Sequence, residues 1–451
     1  MPPTYIAVMI DKDGALARCQ DLVALACKKG ADAADAAMRG ESSESVSVRL
    51  GELEDVARSE SESIGLRVFV GRRSATIQTS DFAPESFTIL VERALEMARI
   101  APEDIYAGLA PQEKLMTGET PELDLTDPVE PSPARLRELA AATEDAARAV
   151  AGVTNSNGGS AGSSRAVSAL ATSHGFARAS EATGHSLSAS VIAGEGSTMQ
   201  TDHAWRSARH AADLPPPEVI GREAGERTVA RVGPGSMPSK AMPVVFDPRV
   251  GSGLVGHLLG AMSGSAVARK TSFLLGHEDD QLFDPSIRIV EDPLRLRGLA
   301  SRAFDGEGLA TSRRALVEDG RIFGWLTNAA AARQLGAPLT GHATRGGVGT
   351  SNVYLEPGQP TPAELMADIA EGVYVTTLFG QGVNLVTGDY SRGAAGFRIV
   401  NGALAGPVAE ITVAGHLLAM FRALTAANDL TFERVVDVPT LRIDGMTVAS
   451  A

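Results

Sequence analysis

The spacing of apolar side chains changes several times along this chain of 451 residues, and these changes limit the possible folds. Apolar residues recur at helical spacing in residues 14–29 and again in residues 87–98. Between these two helices, and again over the Ser-, Gly- and Thr-rich residues 152–210, apolar positions alternate with polar ones, as in antiparallel strands. No strand–helix–strand unit repeats, so the order of the elements indicates an α+β fold. The first group of predicted strands covers residues 46–50, 64–70 and 74–79.

A chain of this length is long enough for two large domains or three ordinary ones. We expect an N-terminal α+β domain with antiparallel strands at residues 1–233 and a mostly β C-terminal domain with few helices at 241–451. The Pro-rich residues 101–133 are predicted to be an ordered connection within the first domain, and the Gly- and Pro-rich residues 233–240 a linker. Further helices are predicted from Pro133 to about residue 150, over 217–232 and 250–262, and near 362–371 and 416–426, with a strand at 242–246.

Charge and composition exclude several classes of protein. The chain has 41 basic and 55 acidic side chains, a net charge of −14, and only 4% aromatic residues, so nucleic acid is not an expected partner. The first residues do not have the pattern of a signal peptide, and no apolar run reaches about 18 residues, so no membrane span is expected. The two cysteines, Cys19 and Cys27, lie on one predicted helix and are interpreted as reduced core residues of a cytoplasmic protein.

Two short patterns match known motifs and two others contain possible metal ligands, and each has a simpler explanation. Residues 158–162 fit G-x-S-x-G, but their Ser- and Asn-rich flanks predict a flexible loop and not a serine nucleophile. Residues 251–256 fit G-x-G-x-x-G, although the following segment is not a βαβ unit, so the small residues are predicted to let a helix pack closely. Residues 277–280, His-Glu-Asp-Asp, are rich in metal-ligand types but predict a solvated turn. His257, in a mostly apolar helix, is typical of a hydrogen-bonded core histidine.

A series of short segments in the C-terminal half carries a family resemblance. These segments, together with residues 66–68 and the helix at 87–98, resemble the TldD/PmbA family, the so-called modulators of DNA gyrase, and most closely its PmbA (TldE) branch. They cover nearly the whole chain, in the family's order. The segments are residues 252–259, 304–308, 341–345, 387–393 and 401–402.

The resemblance implies a heterodimeric zinc peptidase. In the TldD branch, the matching helix carries His-Glu-x-x-x-His, and a later cysteine is a further ligand of a metal that activates water. Here Ser252 stands at the first histidine and Gly253 at the glutamate, so that only His257 remains, and no cysteine follows Cys27. We therefore expect no catalytic residue and no metal in this chain, and a zinc ion in its partner.

The leading hypothesis is a non-catalytic, metal-free subunit that pairs with a TldD-like metallopeptidase and encloses extended or unfolded peptides or modified peptide precursors. On this hypothesis the chain takes part in peptide hydrolysis only in complex with that subunit, and a homodimer of the chain is possible when the partner is absent. The candidate peptide-binding cleft consists of His257, Asp305, Glu307, Asn384 and Tyr390, and a plain turn explains residues 305–308 equally well.

Two other functions fit the sequence. One is an independent metallopeptidase with an atypical ligand set, in which His257 acts with His342 or His416. The other is a protein-binding regulator of gyrase.

Overall fold

The computed structural model describes residues 10–450 and confirms the predicted α+β class, with antiparallel strands in the N-terminal part and a mostly β C-terminal part. Short 3₁₀ turns lie at Gln112–Lys114, Gly196–Thr198 and Ala211–Asp213. The helices are α1 (Lys12–Lys28), α2 (Pro84–Ile100), α3 (Pro133–Arg148), α4 (Pro217–Ala230), α5 (Pro248–Ala261), α6 (Gly264–Ala268), α7 (Ala329–Leu335), α8 (Pro362–Met366) and α9 (Leu417–Arg422).

The strands form two large sheets, one smaller sheet and a hairpin. They are β1 (Ala33–Arg49), β2 (Glu52–Val70), β3 (Arg73–Thr79), β4 (Val153–Thr172), β5 (Ala177–Ala193), β6 (Gln200–Ala208), β7 (Lys240–Phe246), β8 (Ile289–Glu291), β9 (Arg314–Glu318), β10 (Arg321–Ile322), β11 (Ala343–Thr344), β12 (Gly347–Val348), β13 (Val353–Leu355), β14 (Glu371–Phe379), β15 (Asp389–Val400), β16 (Ala403–His416), β17 (Leu424–Ala426), β18 (Val436–Asp437) and β19 (Leu441–Ser450).

The N-terminal sheet is antiparallel throughout, in the order β3-β2-β1-β4-β5-β6. The turn between β1 and β2, Leu50-Gly51, has positive φ at both residues, 52° and 82°. Two successive positive φ angles match the right-handed twist of the flanking strands, so the two long strands leave this turn in register. In that register Asp35 of β1 lies opposite Arg67 of β2.

Four helices cover one face of this sheet. The even-numbered residues of β1, from Ala34 to Val48, point to that face. Its first residues pack with α1 and α2, and its last residues pack with α3 and α4. Because side chains alternate along a strand, Asp35, Ala37 and Arg39 point to the opposite face, which turns toward the C-terminal half of the chain.

Helices α3 and α4 approach each other very closely because α4 carries glycine at the contact. A Cβ atom on Gly221 would lie 2.1 Å from the carbonyl oxygen of Thr143, and one on Gly225 would lie 2.7 Å from that of Ala147. The facing atoms are backbone atoms of α3, which a side-chain rotation cannot move.

The C-terminal sheet closes on itself. Its order is β16-β15-β14-β7-β19-β17, and β16 also pairs with β19, so that five strands form a ring. Helix α5 follows β7 directly and packs into the large core that this sheet shares with the smaller sheet β10-β9-β8-β13-β18.

The Pro-rich segment of residues 101–132 connects the two halves through packing. Leu115 pairs with Leu309, and the Met116 N–H donates to the Gly308 carbonyl at 2.8 Å. The rings of Phe176 and Phe304 lie 5.1 Å apart, edge to face. Residues of the N-terminal sheet, the connection and the 304–309 segment thus share one small apolar cluster.

Several predicted elements are confirmed with shifted ends. The helices at 14–29, 87–98 and 217–232 and the strands of residues 152–210 are present, and Gly30, with φ of 108°, ends the first helix. The helices near 362–371 and 416–426 end earlier, at Met366 and Arg422.

Two predictions for the chain's other elements are wrong. Residues 158–162, predicted as a flexible loop, lie inside β4 between β1 and β5. A Cβ atom on Gly159 would lie 2.3 Å from the Ala140 carbonyl of α3, so the small residues there serve helix packing on the strand. The helices α6 and α7 were not predicted.

Between residues 10 and 450, no helix is both long enough and apolar enough to cross a membrane.

We predict that Gly221→Ala destabilises the fold by about 1–3 kcal/mol, because the added methyl group forces two helix backbones apart. Ala otherwise favours a helix over Gly by about 1 kcal/mol. Chemical unfolding of the purified variant measures the difference in the free energy of unfolding.

Gly253→Ala on α5 is the matched control, since a Cβ atom there meets nothing within 4 Å. We expect this variant to be as stable as the parent or up to about 1 kcal/mol more stable. A Gly221→Ala protein at least as stable as the parent would contradict the close contact between α3 and α4.

Candidate functional site

Helix α5 presents one face to the core and one face to open space. Asp247 accepts a hydrogen bond from the Arg249 N–H and so caps the start of the helix. Gly251 lies against the C-terminal core, where a Cβ atom would approach Val438 at 3.2 Å. Gly253 and Gly256 have nothing within 4 Å of a Cβ position. The close-packing explanation of the glycine pattern is therefore right for Gly251 and wrong for Gly253 and Gly256.

His257 lies on this open side of α5 and is only partly buried, so the prediction of a core histidine is wrong. Its ring meets the ring of Tyr390 edge to face, with 6.1 Å between centroids. Burial, with the positive charge of Arg392, lowers the pKa of the His257 imidazole below its ordinary value. The imidazole is consequently neutral at neutral pH.

Asn384 and Tyr390 come from neighbouring parts of the chain beside α5. Asn384 precedes the turn of residues 385–387, and Tyr390 lies at the start of β15. The Asn384 side chain accepts hydrogen bonds from the N–H groups of Val386 and Thr387, at 2.9 and 3.4 Å. Leu385 from the same turn lies against α5, 3.2 Å from a Cβ position at Gly260. Tyr390 is buried, and that burial raises the pKa of its hydroxyl to about 12. Asn384 shapes the turn, and Tyr390 supports His257.

The side chains around His257 do not fit a zinc ion. Within residues 10–450 there is no group of three or more His, Cys, Asp or Glu side chains placed to hold a metal. The Ser252 hydroxyl is directed to the Arg249 carbonyl of its own helix at 3.3 Å, and Gly253 has no side chain to offer. Arg392 adds a positive charge that opposes a divalent cation at this imidazole.

A cavity of about 890 Å³ lies between the open face of the N-terminal sheet and two segments of the C-terminal half. Its floor is formed by side chains of five neighbouring strands, several of them small. Residues 300–306 and 343–346 form the opposite wall. The floor residues include Ala37, Arg39, Ser63, Gly65, Thr76, Gln78, Ser168, Leu170 and Ser180.

A cluster of charged side chains adjoins this cavity through Arg345, which lies in its wall. The Asp35 side chain is 1% exposed and accepts hydrogen bonds from Arg67 of β2 and from Arg345 in the turn of the β11–β12 hairpin. Glu307 is buried beside this cluster, with its Oε1 3.9 Å from Nη2 of Arg67.

Asp305 and Glu307 lie beside the cavity, and both carboxylates accept hydrogen bonds from backbone N–H groups. The Asp305 carboxylate accepts from the N–H groups of Glu307, Leu309 and Ala343, at 2.9–3.0 Å, so it organises the turn of residues 305–308. Glu307 accepts from the Ala329 N–H at 2.8 Å. Burial raises the pKa of the Glu307 carboxyl, against the opposing effects of that N–H group and of Arg67.

The five predicted cleft residues thus fall into two groups: His257, Asn384 and Tyr390 beside α5, and Asp305 and Glu307 beside the cavity. The cavity arginines, Arg302 and Arg345, and the buried Asp35 were missed. The family resemblance is the one feature of the sequence that pointed to any of these three residues, because Arg345 lies in the matching segment 341–345.

The other histidines named in the sequence analysis have partners of their own. His342 is buried and bonded through Nε2 to Glu291 at 2.5 Å and through Nδ1 to Thr340 at 2.8 Å. His416 lies 2.8 Å from the Thr387 carbonyl through Nε2. Residues 277–280 form the predicted turn, in which His277 bonds to Asp280 at 2.8 Å.

Comparison with known proteins identifies the class of this chain. Models of the PmbA/TldA metallopeptidase domain 1, central domain and C-terminal domain match residues 34–98, 126–232 and 239–450. The chain belongs to the PmbA/TldD family of metallopeptidases.

The relatives place the chain with the PmbA side of that family. It is 38% identical to the metalloprotease PmbA of Escherichia coli O157:H7, over 93% of this chain and 92% of that protein. A proposed modulator of DNA gyrase from Bacteroides thetaiotaomicron has the same fold, with a TM-score of 0.89, 26% identity and coverage of 96% and 98% of the two chains. TldE from Thermococcus kodakarensis also shares the fold, with a TM-score of 0.83, 22% identity and coverage of 96% and 100%.

We predict that Glu307→Gln reduces the loss of stability as pH rises. Because the folded state holds a proton on Glu307 more tightly than the unfolded chain does, stability falls as pH rises from the carboxyl's ordinary pKa through its raised one. Glutamine keeps an acceptor for Ala329 and does not titrate. Unfolding free energies measured from pH 4 to pH 8 should show a flatter profile for the variant, and parallel profiles would disprove the assignment.

We predict the opposite sign for Glu291→Gln. Burial alone would raise the pKa of the Glu291 carboxyl, but hydrogen bonds from His342 and Ser351 bring it below its ordinary value. Its contribution is therefore complete above the ordinary carboxyl pKa and disappears as pH falls through the lowered one. The variant should lose about 1.5–3 kcal/mol of unfolding free energy at pH 7, in the same measurement extended downward to about pH 2. A deficit that stays constant as the pH falls through that range would contradict this prediction.

Proposed function

We propose that this chain is the non-catalytic, metal-free partner subunit of a TldD/TldE-type heterodimeric zinc peptidase. The complex would degrade unfolded peptides or process modified peptide precursors in the cytoplasm, with zinc in the TldD-like subunit. The observation that carries the proposal is the open face of α5, where the family's metal-binding branch has its ligands and this chain has Ser252, Gly253 and a single histidine.

The chemistry of that face supports a structural role. A hydrolytic zinc needs three protein ligands and a position for water, usually with a carboxylate as general base. His257 could supply one ligand. The carboxylate position is Gly253, and both cysteines of the chain, Cys19 and Cys27, lie on α1.

Neither histidine of the alternative ligand set supports an independent peptidase. The Glu291 carboxylate and the Thr340 hydroxyl engage both ring nitrogens of His342, which is 1% exposed. The Nε2 atom of His416 is engaged with a backbone carbonyl. A metal would have to replace these contacts before either ring became a ligand.

The cavity between the two halves supports a peptide as the ligand. Its volume of about 890 Å³ suits several residues of an extended chain, and its wall contains apolar side chains and arginines. A cavity between two halves of the molecule admits a flexible chain more readily than a folded domain, which fits unfolded peptides as substrates.

We predict that the purified chain alone holds no stoichiometric zinc and cleaves no peptide, and that both zinc and cleavage appear with the TldD-like subunit. Co-purification from native extract, followed by elemental analysis of each subunit and a peptide-cleavage assay of each and of the mixture, measures this.

His257→Ala in the co-purified complex is the control. Its zinc content should equal that of the parent complex, because the proposed metal lies in the other subunit. One zinc per chain in the isolated protein, lost in His257→Ala, would contradict the proposal and favour an independent peptidase. Recovery of gyrase without a TldD-like subunit would favour a regulator.

A further inference from the structure

The charges that line the cavity are mostly positive. Its charged lining consists of Arg39, Arg302, Arg345 and one carboxylate, Asp305. Asp305 is 3% exposed and already accepts three backbone N–H groups, so it has little capacity left for the arginines. Arg39 is paired with Glu41 at 2.9 Å. Within residues 10–450, Arg302 and Arg345 are the cavity arginines without a carboxylate of their own.

Arg302 carries the clearest unused capacity. Its Nη2 donates to the Gly349 carbonyl at 2.5 Å, which leaves the guanidinium charge without a carboxylate bonded to it among the described residues. Its Nε is buried and has no hydrogen-bond partner within residues 10–450. Burial lowers the pKa of this guanidinium in spite of the more distant Glu291 and Asp305 carboxylates. Because Nε has almost no exposed surface, a ligand in the cavity would meet Nη1 instead, which is not fully buried and has no hydrogen-bond partner within residues 10–450.

Arg345 shares its carboxylate. Asp35 accepts hydrogen bonds from both Arg67 and Arg345, so one negative charge serves two guanidinium groups. The Arg345 side chain remains 33% exposed, and it lies at the cavity wall that also contains Arg302. A guanidinium has five N–H donors, and Asp35 uses one nitrogen of this group.

The rest of the lining suits an apolar side chain. Phe304 stands on the same wall as Arg302, two residues away in sequence, and Leu170 stands on the floor. Small residues on the floor, such as Ala37 and Gly65, leave space for such a side chain. Positive donors on one wall and apolar groups around them match a carboxylate carried by an apolar residue.

We propose that Arg302 and Arg345 bind the free C-terminal carboxylate of a peptide whose last side chain lies against Phe304 and Leu170. This inference rests on the proposed peptide-binding function and adds to it a direction, with the peptide's C-terminus inside the cavity. The shared chemistry is a carboxylate, and an acidic side chain is the other source of that group.

Calorimetric titration of the full-length chain, without partner and without zinc, tests the site with three N-acetylated hexapeptides. The first ends in leucine as a free acid, the second is its C-terminal amide, and the third is an amide with glutamate at the last position. We expect the free acid to bind about 10- to 100-fold more tightly than either amide. Equal binding of the free acid and the leucine amide would overturn the proposal, and equal binding of the free acid and the glutamate amide would overturn the terminal assignment.

Arg302→Gln should remove most of the preference for the free acid, and Arg302→Lys should keep part of it, since a lysine retains the charge without the planar fork. Arg422→Gln is the matched control: this arginine is 52% exposed, pairs with Asp280 and does not line the cavity. It should keep the full preference. Circular dichroism establishes that each variant is folded, and an unchanged preference in folded Arg302→Gln would overturn the role of Arg302.

The two proposals fail separately. If the chain binds free acids selectively but its addition to the TldD-like subunit never yields cleavage, the carboxylate site is supported and the subunit function is contradicted. If cleavage depends on the partner but the chain shows no preference for free acids, the subunit function is supported and the carboxylate site is contradicted.

Discussion

The architecture depends on one buried carboxylate that two distant parts of the chain share. Asp35, on the central strand of the N-terminal sheet, holds Arg67 from the neighbouring strand and Arg345 from a hairpin 310 residues further along. An unpaired charge at this depth would cost several kcal/mol, and Arg67 and Arg345 together offset that cost where the two halves meet. The bond from Arg345 holds the hairpin above the sheet, where it forms part of one wall of the cavity.

The open face of the N-terminal sheet and the open face of α5 have a common origin. In both, small residues stand where a larger side chain would have been possible. Gly65 and Ala37 keep the sheet floor low, and Gly253 and Gly256 leave the outer side of α5 bare. The other face of each element is fully packed. Both the cavity and the helix face therefore exist because small residues leave space on one side of an element whose other side is packed.

Local periodicity was enough to predict much of the fold. Helix α2 and the end of β1 follow from apolar spacing alone, because that spacing reflects which side of the element is buried. The same reasoning failed at residues 158–162. Gly and Ser residues indicate a strand only weakly by themselves. The Gly and Ser residues at 158–162 lie in β4 because α3 packs directly on Gly159. Such a requirement comes from a helix that precedes the strand in sequence, and no local pattern records it.

The candidate site divides in the same way. The absence of a family metal ligand at Ser252 and of the family's glutamate at Gly253, and the presence of His257, can be read from the residue types in order along one helix. The pairing of His342 with Glu291, the shared Asp35 and the position of Arg302 on a cavity wall were decided only by tertiary structure. Residue identity sets which chemical groups a chain possesses, whereas burial and long-range contacts decide which donors remain unused. For this protein, the sequence determined which metal ligands are missing, and the packing of its two halves determined where a ligand has room and charge to bind.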